Sequence, residues 1–202
     1  MYEPFINSNN PSAFREPDEK AEFINNFTPE IAALFSECGG TSFADGMYKV
    51  HTIASSLHWA FIISSYFDKY ASQIIPISYD WMGRQFCVYP SSKEFVLLID
   101  PSTGERIDIP RDIVVFHNEL LVQDRKDVLA EDIFDAVRDL LQIREVKHTD
   151  CLGYKVPLYL RGSDSVDNYE VFDMEAYWET QKQLYFKIKN SSPGVKTEER
   201  RL

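Results

Sequence analysis

Apolar residues recur along this chain at two different periods, and the changes of period mark out its elements. Thr28-Pro29-Glu30 combines a capping hydroxyl, a proline at the first helical position and an acid on the positive end of the helix dipole. It opens a helix whose buried face is Ile31, Leu34 and Phe35, and Gly39-Gly40 ends it. Met47 to Val50 reads as a strand, and His51 to Tyr70 as a second helix with Leu57, Phe61, Ile62, Tyr66 and Phe67 near helical spacing. Strands follow at Ile74–Ser78, Arg84–Tyr89, Glu94–Asp100 and Arg106–Ile109, with a hairpin turn at Pro101-Ser102-Thr103-Gly104, and Val114–Phe116 is expected to extend the sheet.

Asp127 to Gln142 is the clearest amphipathic helix. Val128, Leu129, Ile133, Phe134, Val137, Leu140 and Leu141 form its apolar face, while Asp132, Asp135, Arg138 and Asp139 face water. Val156 to Leu160 reads as a strand with Pro157 at its start or on an edge, and Tyr169–Phe172 as another. Asp173 caps a last helix carrying Met174, Tyr177, Trp178 and Gln181 on one side. Strands joined by short turns favour antiparallel pairing, so the expected class is α+β: a mainly antiparallel or mixed sheet packed by several helices. Residues 1–18, rich in Asn, Ser and Pro, are expected as a flexible arm and 191–202 as a flexible tail, with a soft division after Phe116 between regions 19–116 and 117–190.

Hydrophobic residues make up 44% of the 202 positions, enough for a sizeable core. The net charge of −11 argues against nucleic acid as a direct ligand and suits a basic protein partner. Solubility alone also accounts for it. Cys38, Cys87 and Cys151 are widely spaced, without a zinc pattern, and are expected as buried thiols in a reducing compartment. No secretory leader opens the chain, and the apolar run Thr52–Phe67 is too short for a bilayer, so the cytoplasm is the expected location and no membrane contact is expected.

The phrase Cys151-Leu152-Gly153-Tyr154-Lys155-Val156-Pro157-Leu158, followed by Asp173-Met174-Glu175-Ala176-Tyr177-Trp178, resembles the C-terminal domain of bacterial immunity proteins linked to type VI secretion toxins. The front half, with Gly39-Gly40, Gly46-Met47-Tyr48 and Asp80-Trp81-Met82-Gly83-Arg84, resembles the GAD-related domain that often precedes it and, more broadly, the SUKH immunity superfamily. The resemblance spans about residues 28–185 and departs from its pattern at Arg161, where a second glycine is expected. It implies a protein that binds and neutralises a cognate toxin in the cytoplasm, without a cofactor and without catalysis.

Chemistry-bearing residues are weighed against plainer roles. Asp80–Arg84 is either an interface anchor or a turn in which Arg84 pairs with Asp80 while Trp81 fills the core, and the second reading is favoured. His148, Asp150 and Cys151 lie close in sequence, but a thiol nucleophile needs a thiolate, a base within reach and an oxyanion hole, which sequence proximity does not supply. His117-Asn118 reads as a helix start before a catalytic pair. His51 and His58 can share a helix face but lack a third metal ligand.

Asp100 to Asp139 holds 11 acids against 5 basic residues, a face able to mimic phosphate before a nuclease-like toxin, although any one acid there also fits the wet side of a helix. The candidate partner-contact residues are Tyr79, Trp81, Glu119, Asp124, Asp132, Asp135 and Asp139. The competing expectations are a hydrolase with an unrecognised carboxylate or Cys/His site in a deep pocket, and a regulatory protein-binding module. The oligomeric state stays open.

Overall fold

The computed structural model describes residues 1–67, 73–90, 92–191 and 200–201. Seven strands run as an antiparallel meander in chain order: β1 Pro11–Arg15, β2 Thr41–Phe43, β3 Tyr48–Val50, β4 Ile75–Asp80, β5 Gln85–Tyr89, β6 Ser92–Ile99 and β7 Arg106–Ile109. A separate antiparallel hairpin pairs β8 Asp150–Tyr154 with β9 Tyr169–Asp173. β10, Arg200–Arg201, lies parallel to β7. The α+β expectation stands.

Successive residues of a strand point to opposite faces, and here both faces are buried. On β5 and β6, Phe86, Val88, Val96 and Leu98 join one core, which also holds Phe5, Trp81, Phe116 and Phe134. Their neighbours Cys87, Leu97 and Ile99 join a second core with Trp59, Ile63, Tyr79 and Trp178. Helices α1 (Glu3–Ser8) and α2 (Pro29–Cys38) contribute to the first core; α3 (Ile53–Tyr66) and α6 (Met174–Ser191) cover the second. α4 (Arg125–Val128) and α5 (Glu131–Leu141) lie between, on the first side.

Thr28 and Gly39 flank α2 and Pro29 is its first residue, as expected, but the Thr28 hydroxyl makes no capping hydrogen bond. Asp173 caps α6 by accepting from the Ala176 amide at 2.9 Å, and Met174, Tyr177, Trp178 and Gln181 are all buried. The three cysteines are free and buried.

Several expectations are corrected. Residues 1–18 are packed rather than loose. Tyr2 and Phe5 are fully buried, the Tyr2 hydroxyl donates to the Glu30 carbonyl at 2.9 Å, and β1 pairs with β2. Val114–Phe116 does not extend the sheet, because Asp112 accepts from the Val114 and Val115 amides and starts a helix. That helical run continues through a π turn over Phe116–Leu120 to Leu121–Gln123.

The single helix expected over 127–142 is broken, with Ala130 at φ 51° between α4 and α5. The strand expected at Val156–Leu160 is a loop and a 3₁₀ turn. The Asn168 side chain donates to the Val156 carbonyl and accepts from its amide, taking both groups a neighbouring strand would use. The hairpin strand lies earlier, at β8. Helix α3 spans Ile53–Tyr66; residues 68–70 of the expected helix lie outside the described residues, as does the expected tail apart from Ser191 and Arg200–Arg201.

Candidate interaction surface

The Asp80–Arg84 motif is architectural. Arg84 closes on the buried Asp80 carboxylate at 2.5 Å, and Asp80 also accepts from the Met82 and Arg84 amides. Trp81 is fully buried and donates from its indole nitrogen to the Leu129 carbonyl at 2.6 Å, tying the sheet to the residue before the α4–α5 break. Its ring lies 5.5 Å from both Phe134 and Tyr169. Tyr79 is buried on the opposite face and donates to the His148 carbonyl. Neither Tyr79 nor Trp81 presents surface to a partner, so both are corrected as contact candidates.

The acidic candidates are placed differently. Glu119, Asp124, Asp132, Asp135 and Asp139 are all exposed. Asp132, Asp135 and Asp139 follow the i, i+3, i+7 spacing on α5 and share one stripe. Asp132 meets Lys126 at 2.9 Å across solvent. Glu119 and Asp124 belong to the preceding helical run and its end.

Sequence periodicity placed Ile133 and Leu140 in the core, but they are 38% and 49% exposed. The buried face of α5 is narrower than its apolar pattern: Phe134 and Val137 face inward, and Arg138 lies over the Phe134 ring. Ile133 and Leu140 therefore form an apolar stripe beside the acidic one, with exposed Ala136 between them. The apolar excess around α5 was the available signal, since seven apolar positions exceed what one buried stripe of a short helix uses.

Helix α3 departs from its pattern in the same way. Ile53, Ser56, Trp59, Ile63 and Tyr66 face the sheet, leaving Leu57 and Phe61 outside at 54% and 74% exposure. Phe61 edges a cleft of about 500 Å³ between α3 and α6, with Tyr66 and Trp178 among its lining and Glu175, Glu179 and Lys182 on its rim. A second cleft, about 340 Å³, is lined by Ile31, Tyr89, Phe95 and Ile113 with Glu30 and Asp112. Neither cleft is lined by a cysteine or histidine.

The histidines are structural. His51 is buried, meets Gln85 at 2.9 Å and Ser55 at 3.0 Å, and burial drives its pKa down to about 3. It does not share a helix face with His58, which is exposed and pairs with Glu175 at 2.7 Å. His117 sits inside the π turn, 2.7 Å from the Ile113 carbonyl and 2.9 Å from the Tyr48 hydroxyl, and burial lowers its pKa to about 4. Asn118 instead holds the Met1 carbonyl. Cys151 is fully buried and its thiol is pushed well above its ordinary pKa, so it is held protonated, while His148 is engaged by Tyr79. Among the described residues, no group of three or more His, Cys, Asp or Glu side chains is placed to hold a metal, and no helix is long and apolar enough to cross a membrane.

No protein-family model matches the chain, and no curated protein is significantly similar to it. A solved structure shares the fold. The crystal structure of Atu4351 from Agrobacterium tumefaciens superposes with a TM-score of 0.64 at 10% identity, over 91% of this chain and 89% of that one. At that identity the likeness concerns the fold alone.

Proposed function

We propose that this chain is a cytoplasmic immunity protein that neutralises a basic toxin, of the kind linked to type VI secretion, by docking on it. The observation that carries this reading is the outer face of α5, where the Asp132, Asp135 and Asp139 stripe runs beside exposed Ile133 and Leu140. Apolar side chains supply contact area that excludes water, and the neighbouring acids steer a basic surface into register. A nuclease cleft, built to receive phosphate, is a partner of that chemistry.

The resemblance of the segments around Gly153 and Tyr177 to immunity proteins supports the same reading. Those segments fold as one unit here: β8 and β9 pair, and α6 lies across them. The Cys/His form of the hydrolase alternative is less well supported, because Cys151 is enclosed and protonated.

Titrating the purified chain with the toxin encoded beside its gene tests the proposal. A tight complex whose association slows as salt rises is expected. Absence of a complex at micromolar concentration contradicts it.

A further inference from the structure

Helices α3 and α6 run side by side in the same direction. His58 on α3 meets Glu175 on α6 at 2.7 Å, and further along both helices Lys182 Nζ donates to Ser65 Oγ at 3.3 Å. Both pairs are separated by 117 residues of sequence, so the two helices keep one register between them, over nearly two turns or about 10 Å. The cleft of about 500 Å³ lies along this stretch. Buried Tyr66 and Trp178 form its floor, edge to face with ring centres 5.8 Å apart.

The walls of this groove are apolar and exposed. Phe61 stands at its edge, and Leu57, also exposed, lies one turn before it on α3. Exposed Ala176 lines the α6 side, where its small side chain lets another backbone come close. An exposed apolar strip with a charged rim marks an interaction site. The strip is elongated and follows the i, i+4 spacing of a helix, which matches apolar anchors one turn apart on a facing helix.

The rim sets the charge of the occupant. It carries Glu175 and Glu179 against one lysine, Lys182. Glu179 already accepts from Lys182 and Gln183, while the Glu175 side chain is 58% exposed. We infer that this groove receives one amphipathic basic helix of a partner protein. Its apolar anchors fill the cleft and cover Leu57 and Phe61, and a lysine or arginine beside them meets Glu175. The groove belongs to the second core, across the sheet from the core that α5 joins, so it does not depend on the α5 docking account.

Fluorescence anisotropy with a labelled synthetic helix tests the site. The probe carries leucines at i and i+4 flanked by lysines, and its control carries glutamates in place of the lysines. At physiological salt the lysine helix is expected to bind the wild-type chain about tenfold or more tighter than the control. Phe61→Ser should weaken it about tenfold, and Glu175→Lys should weaken it as well. Both positions are exposed, so the fold should survive either change. Asp135→Lys/Asp139→Lys should bind it within about threefold of the wild type, because charges that far off are screened at that salt. No binding at micromolar concentration, binding that ignores Phe61→Ser, or binding lost only with the α5 charges overturns the proposal. A Phe61-dependent dimer in light scattering also overturns it and makes a second copy of the chain the occupant.

Discussion

The Tyr177 ring closes over Gly153 so tightly that a Cβ added there would come within 2.4 Å of Tyr177 Cε2. The Tyr177 hydroxyl also accepts from the Tyr154 amide, so the ring cannot swing aside without losing that bond. Gly153 and Tyr177 belong to the two segments that carry the immunity-like pattern, and the structure gives their spacing a packing reason. Gly153→Ala is expected to destabilise the chain by about 1–3 kcal/mol, the usual cost of overpacking a filled site. Urea unfolding measures it, and an unchanged midpoint would show that the helix simply moves away.

Arg161 marks the one departure from that pattern, and it stands at φ 67°, in the left-handed region. A side chain there costs about 1–2 kcal/mol, while glycine loses about 0.5–1 kcal/mol more backbone entropy on folding. Arg161→Gly is therefore expected to stabilise by about 0.5–1 kcal/mol. Its neighbour behaves oppositely, since a Cβ on Gly162 would lie 1.8 Å from the Val156 carbonyl oxygen. Gly162→Ala should unfold the turn, and a loss with both variants would contradict this account.

His51, His117 and His148 are held neutral by burial, with pKa values lowered to about 3, 4 and 4. The unfolded chain binds their protons near pH 6.5, so stability falls as pH drops below that value and continues to fall toward the folded pKa values. Each contributes up to about 1.4 kcal/mol per pH unit in that window. Glu16 and Asp80, whose carboxyl pKa values are raised by burial, act in the opposite sense, so the interval from pH 6.5 to 5 reads the histidine loss less any gain from those two. Denaturant melts across it should show a steep loss, and flat stability would place the imidazoles in contact with solvent.

Much of the fold was legible in the sequence where local chemistry and packing agree. Thr28-Pro29 starts α2, Asp173 caps α6, and alternating β5 and β6 sit between two cores. The failures have particular causes. Tyr2 and Phe5 are sparse among polar residues, so their role appears only when the fold sets His117 against Tyr2 and Phe43 and Tyr48 against Phe5. Val156–Leu160 has strand-like composition, but Asn168 captures its backbone. The acids of the candidate surface were visible from charge alone. Its apolar half was hidden, because Ile133 and Leu140 fit a core-facing pattern and only the packing of Phe134 and Val137 reveals that they are left outside.

The most direct test of the docking account is the association of the neighbouring toxin with wild type and with Asp135→Lys/Asp139→Lys. Both positions are exposed, so the fold should survive. Association at low salt is expected to slow at least tenfold, with affinity falling further when Leu140→Ala is added. Unchanged rate and affinity in a folded variant would place the contact elsewhere and contradict the assignment of α5 as the docking face.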